Sequence, residues 1–307
     1  MSRKDQSVLF LMFLAMFFWG SNFNAASALA GSVPPLTAGA ERFAIAALVF
    51  LLMRLWRRPE SVLSGKAKLQ LVGLGILGVF GFNFAFFYGL QTTSALNGAL
   101  IMATSPLVTT LLAAVLIGGV VGLQHWFGAV LGFCGVALVI FGGGGHQLHL
   151  AIGDLYMIGA CLCWSLYTVC CKKYAGNVPA LQLSRWSIGA GAVSLLIAAL
   201  WMEQPLTFLP HLDIQFHLIL LYMGLFGSVL AYIFWLQGVQ TLGPGRAALF
   251  FNLVPVFTLL VGIGLGDLPR PAQLVGMVLV MLGVLIGNGV ILPRLFAKRS
   301  EVELAPK

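Results

Sequence analysis

Apolar stretches long enough to cross a hydrocarbon layer of ~30 Å recur about ten times along this chain, and they make lipid its main solvent. They run near 8 to 29, 36 to 53, 69 to 90, 95 to 117, 125 to 141, 152 to 171, 182 to 201, 214 to 236, 246 to 266 and 272 to 292. Turn-forming residues stand between them: Pro34 and Pro35, Pro59, Gly142 to Gly145, Pro179, Pro205 and Pro210, Gly243 to Gly245, and Pro269 with Pro271. Of the 307 residues, 60% are hydrophobic and 8% charged, where a soluble domain carries ~25% charged residues. Spans of this length in lipid must satisfy their own backbone hydrogen bonds, so they read as helices. The expected fold class is all-α integral membrane, with ten transmembrane helices. Arg3 and Lys4 before the first span and the Ala28-Leu29-Ala30 triplet imitate a cleaved signal. Trp19, Asn22 and Asn24 interrupt that run and a copy of it recurs later, so it reads as a retained span.

That copy divides the chain in two. At an offset of 149 (238 − 89), GLQT at 89 to 92 falls on GVQT at 238 to 241. The same offset pairs Gly75 with Gly224, Gly78 with Gly227, Pro106 with Pro255 and Thr109 with Thr258. An offset of 148 sets Gly128, Val130, Leu131, Gly135 and Val136 on Gly276, Val278, Leu279, Gly283 and Val284. Trp19 pairs with Trp164 and Arg42 with Arg185 at offsets of 145 and 143. A colinear series with this small drift predicts two repeats, 1–146 and 147–307, each of five spans. An odd span number turns the second repeat upside down in the membrane, which is the architecture of many secondary transporters.

Basic residues give the orientation. With the N-terminus inside, the cytoplasmic segments hold Arg3, Lys4, Arg54, Arg57, Arg58, Lys66, Lys68, Lys172, Lys173, Arg294, Lys298, Arg299 and Lys307, and the other side holds Arg270. Both termini are therefore expected in the cytoplasm, and topology rather than nucleic-acid binding accounts for the net charge of +8. The five cysteines, Cys134, Cys161, Cys163, Cys170 and Cys171, lie in or beside apolar runs without metal-type spacing and read as reduced and structural. His146 and His149 form an H-x-x-H without further ligands, so no metal and no cofactor is expected. An intramembrane enzyme would need paired acids, a metal cluster or an activated nucleophile, and Glu41 is the one acid placed well inside a span.

The residues resemble the drug/metabolite transporter superfamily, in particular its EamA-type members. The resemblance rests on FFWGSNF at 17 to 23, ERF at 41 to 43, ALNGALIMATSPLVTTLLA at 95 to 113 and GDLPRPAQLVGMVLVMLGVLIG at 266 to 287, and it covers nearly the whole chain. Many relatives carry Glu just after the ninth span and at its counterpart, where this chain has Asp267 and Gly118. The resemblance implies a bacterial inner-membrane exporter or facilitator of small metabolites, and the aromatic-rich chain looks closest to YddG-like amino-acid exporters. Its expected partners are a small-molecule substrate and the bilayer. The alternative is a broad-specificity drug or other metabolite efflux carrier.

Inverted symmetry makes paired polar and aromatic positions candidates to meet at one midplane cavity. These are Trp19 with Trp164, Asn22 with Tyr167, and Asn83 with Tyr232. Pro106 and Pro255 are candidate helix kinks that free carbonyls near Met102 and Phe251, and Met102 and Asn252 join the substrate-binding candidates. The same aromatic residues could equally serve packing or interfacial anchoring. Glu41 and Arg42 read either as a local neutralising pair or as a gate, coupling or substrate contact. Arg185 and Arg246 read as snorkelling to the cytoplasmic interface. The glycines spaced by four, Gly128 with Gly132 and Gly283 with Gly287, read as sites of close helix contact.

Reporter fusions test the orientation: one after Lys307 is expected to be cytoplasmic and one within Gly142 to Gly145 periplasmic. A periplasmic C-terminus would overturn the ten-span reading.

Overall fold

The computed structural model describes residues 3–29, 32–56, 62–93, 95–118, 121–142, 151–208 and 213–291, and these are helical with no strand. Arg57, Arg58, Arg294, Lys298, Arg299 and Lys307, the histidines 146 and 149, and the 146/147 repeat boundary lie outside the described residues.

Nine helices among the described residues have the length and apolarity to cross a membrane. Two of them are α1 (Arg3–Leu29) and α2 (Pro35–Trp56). Next come α3 (Gly65–Thr92), α4 (Gly98–Leu116), α5 (Leu123–Gly142), α6 (Ile152–Ala175), α7 (Ala180–Met202), α8 (Ile214–Leu242) and α9 (Pro244–Gly264). A further apolar helix, α10 (Pro271–Gly287), has 17 residues, about 25 Å at 1.5 Å per residue. It stops short of the expected 292 because Gly289 takes a left-handed φ of 73°, and Gly289 N bonds back to Ile286 O at 2.9 Å. That is a glycine-terminated helix end.

The start of α2 is capped from another helix. Leu36 N and Thr37 N donate to the two carboxylate oxygens of Glu203 at 3.0 and 2.7 Å, and Thr37 Oγ1 donates at 3.0 Å. An anion at a helix N-terminus satisfies orphan amides and suits the macrodipole, so Glu203, just past α7, fixes where α2 begins. Asp154 does a similar service within its own first turn, accepting from Ala151 N at 2.9 Å and from Thr93 Oγ1.

Contacts repeat with the halves exchanged. A Cβ on Gly227 would overlap the Asn22 amide, and one on Gly78 would overlap the Tyr167 ring. Gly238 receives Met12 as Gly89 receives Met157. Each glycine pair is 149 apart and each partner pair 145 apart, so side chains of one repeat sit in glycine notches of the other under a pseudo-twofold relation. Close to the same relation, α5 and α10 cross through Gly128, Gly132 and Gly135 against Gly276, Gly283 and Gly287. With lipid on the far side there is little hydrophobic force between helices, and close backbone approach supplies the packing instead.

Symmetry also governs the irregularities. A π-helical stretch, Ile76–Gly81, interrupts α3, and Met223–Leu230 interrupts α8. In α4 the helix breaks at Thr104, just before Pro106; in α9 it breaks at Phe251 and Asn252, before Pro255. The proline lacks the amide that would bond the carbonyl four residues back, so the turn tightens to i−3 bonds: Thr104 N to Ile101 O at 3.1 Å and Asn252 N to Leu249 O at 3.3 Å.

Gly128→Ala tests the α5–α10 crossing. It is expected to destabilise the detergent-solubilised protein by about 1–3 kcal/mol, read as a lower melting temperature. Gly189→Ala, in α7 with open space around the added methyl, should be neutral or stabilising by up to ~1 kcal/mol.

Candidate substrate cavity

The two π stretches end where the site begins. A π turn inserts a residue and rotates everything after it. Asn83 and Tyr232 are each the second residue after such a stretch, and both face one cavity. That cavity, about 660 Å³, runs from the end of the bundle where α1 ends and α2 begins toward the middle of the chain's helices. Its mouth is lined by Leu29, Val33, Pro35, Leu90 and Gln91, and its depth by Trp19, Asn22, Arg42, Phe82, Asn83, Trp164, Tyr232 and Phe251.

The floor is aromatic. Trp19, Trp164 and Trp235 form a triangle with ring centroids 5.3 to 5.4 Å apart. Phe251 closes on it at 5.9 Å from Trp19 and 5.6 Å from Trp164. Offset and edge-on ring pairs of this kind add attraction beyond the area they bury. Trp235 is fully buried and lies behind the cavity lining. Trp19 Nε1 donates to Gly227 O at 2.9 Å, so the indole is fixed by the π stretch of the other repeat.

Polar groups converge on the same space. Arg42 Nε donates to Ser228 Oγ at 2.7 Å, and its guanidinium lies 4.9 Å from the Phe43 ring centroid. Asn83 Nδ2 donates to Val79 O at 2.6 Å. Glu41 behaves differently from the local pair expected with Arg42: its Oε1 lies 2.7 Å from His217 Nδ1 on α8. Neighbouring residues on a helix point about 100° apart, so Glu41 and Arg42 serve different neighbours.

The structure thus brings Trp19, Asn22, Asn83, Trp164, Tyr232 and Arg42 to one cavity. It sets three other candidates apart. Tyr167 is fully buried over Gly78, Met102 packs with Met157, Ala160 and Cys161, and Asn252 sits against Gly132. Arg185 is half-buried and Arg246 is exposed. Residues missed by the sequence reading are Phe82, Gln91, Ser228, Trp235 and His217, and Phe251, expected to offer a freed carbonyl, also lines the cavity. Gln91 was present in the GLQT/GVQT match, but its position at a helix end gave no sign of a role.

The two ends of the bundle are not alike. Gln240, the counterpart of Gln91, donates to Val178 O at 2.7 Å and so ties α8 to the α6–α7 turn. Gln91 is exposed at the open mouth. A smaller cleft of about 330 Å³ at the closed end is lined by Thr110, His125 and Arg246, with Thr110 Oγ1 and His125 Nε2 2.7 Å apart.

Apolar helices in two related halves, broken near a central cavity, define a multi-pass membrane protein of the transporter class. The chain belongs to the EamA-like transporter family, whose model matches twice, over residues 6–141 and 151–288. It is 36% identical over 289 residues to a Bacillus subtilis (strain 168) protein named Uncharacterized transporter YyaM, across 92% of this chain and 94% of that one. It is 28% identical over 258 residues to the Uncharacterized inner membrane transporter YedA of Escherichia coli (strain K12), across 83% and 81%. One crystal structure shares the fold with a TM-score of 0.77 at 22% identity, over 96% of this chain and 99% of the other.

Labelling tests the opening. With native cysteines replaced by alanine, Ser27→Cys, on the cavity lining, should react rapidly with a water-soluble maleimide, and Thr168→Cys, fully buried beyond the floor, should not. Equal rates would mean that the aromatic floor does not close the cavity.

Proposed function

We propose that this chain exports amino acids, aromatic or other neutral ones, across the bacterial inner membrane by alternating access. In this reading α10 is the tenth crossing, the repeats are inverted, and both termini are cytoplasmic. The observation that carries it is the inequality of two related ends: Gln240 is bonded across its gap while Gln91 borders an open cavity. A protein made of two like halves in unlike conformations reaches the opposite state by exchanging them. With the basic residues inside, the closed end is cytoplasmic and the cavity faces outward. An apolar pocket with an aromatic floor and a few amide, hydroxyl and guanidinium groups suits a small solute with an apolar side chain.

Substrate moves down its own gradient in this proposal, so export reflects a high cytoplasmic concentration. The Glu41–His217 pair, 2.7 Å apart, favours a second reading in which a proton is carried, since coupling needs a titratable group that changes its surroundings between states. Uptake of a radiolabelled amino-acid panel into proteoliposomes, with and without a pH gradient at zero membrane potential, separates the two. Flux without accumulation is expected; accumulation abolished by a protonophore and by Glu41→Gln would establish coupling. Trp19→Ala, Trp164→Ala, Asn83→Ala and Tyr232→Ala should each lower flux or alter preference at near-normal membrane levels. Unchanged transport in all four would place the substrate elsewhere.

A further inference from the structure

Among the described residues Arg42 is the one charged side chain on the cavity lining, and no acidic residue shares that lining. Its sequence neighbour Glu41 is engaged with His217 on α8. The guanidinium uses Nε on the Ser228 hydroxyl. Among the described residues its two terminal nitrogens make no hydrogen bond, and Arg42 is half-buried on the cavity lining. A guanidinium seated in a membrane-spanning helix is costly without a counter-charge and by default marks a functional site. Asn22 borders the same cavity, but its amide is buried against Gly227 and does not reach that space, so the charged anchor on the lining is Arg42.

We propose that Arg42 anchors a carboxylate and that the cavity selects organic acids with an aromatic or aliphatic body, the ammonium group of an amino acid being dispensable. A carboxylate matches the fork of terminal N–H groups and supplies the missing counter-charge. The apolar body then rests on Trp19, Trp164 and Phe82. Among the described residues no acid lines the cavity to receive an ammonium group, whereas Arg42 repels any cation brought into this low-dielectric space. Organic amines are therefore excluded and simple carboxylates accepted. This proposal rests on the amino-acid transport reading for the location of the site and sharpens its chemistry.

The test compares three probes of one size, 3-phenylpropanoate, phenylalanine and 2-phenylethylamine, on the purified full-length chain. Binding is read by quenching of intrinsic tryptophan fluorescence, to which the floor contributes. The two carboxylates should bind, 3-phenylpropanoate at least as tightly as phenylalanine, and the amine at least about tenfold more weakly. Arg42→Gln should weaken 3-phenylpropanoate about tenfold or more, and Arg42→Lys should restore part of the loss. Amine binding as tight as acid binding would overturn the proposal, as would absence of acid binding. The comparison of probes on the unaltered protein decides the matter even where Arg42→Gln fails to fold; acid affinity unchanged in a monodisperse Arg42→Gln preparation also overturns it. Flux of the same probes in proteoliposomes tells the two readings apart. Acid binding without flux rejects the transport reading and leaves the anchor standing; flux that ignores the carboxylate rejects the anchor and leaves a transporter.

Discussion

The seating of side chains from one repeat in glycine notches of the other is what the rest of the structure depends on. Asn22 over Gly227 and Tyr167 over Gly78 bring α1 against α8 and α6 against α3, and Met12 over Gly238 and Met157 over Gly89 hold the same helix pairs further along. In lipid this contact cannot be replaced by burial of apolar surface, because the solvent is itself apolar. Backbone approach at glycine gives dispersion over many atoms at short range. It also fixes register, since a notch admits its partner at one height only.

On that frame the π stretches become intelligible. They occur directly around Gly78 and Gly227, in Ile76–Gly81 and Met223–Leu230, so the same short segments supply both the notch and the change of facing that follows it. Asn83 and Tyr232 are turned to the cavity, and Gly227 O is presented to the Trp19 indole. The halves are thus alike in construction while their ends differ in state. Trp19 and Trp164 meet at the floor, but Asn22 lines the cavity and Tyr167 does not, and Phe251 lines it where its counterpart Met102 does not. Symmetry-related positions need not be exposed together, because only one end is open.

Charge placement follows a similar economy. The ERF triplet puts Glu41, Arg42 and Phe43 on one turn, and the helix directs each to a separate neighbour: His217, Ser228 with the cavity, and the Tyr232 ring at 6.0 Å. Glu203 at the start of α2 and Asp154 at the start of α6 are spent on capping. Each of these acids therefore has a local partner, and the lining is left with a single guanidinium.

The sequence alone determined the class of fold, because length and apolarity of the segments leave a chain in lipid no alternative to helices. It also determined the repeat, because GLQT/GVQT, the glycine series and the paired prolines keep their order. Of the candidate residues, it could supply only those whose chemistry is costly in a membrane, such as Asn22, Asn83 and Arg42, or repeated, such as Trp19 with Trp164. Tertiary structure decided which of them share a space. Whether Glu41 meets Arg42 or His217 depends on α8 lying beside α2, and whether Gln91 or Gln240 is bonded depends on which end is closed. The helix ends also shifted where a local backbone feature intervened, as at Gly289 after α10. The physical reason is one of range: helix formation in lipid is set by neighbours a few residues away, whereas a cavity between repeats is set by contacts between residues far apart in the chain, such as Trp19 with Gly227.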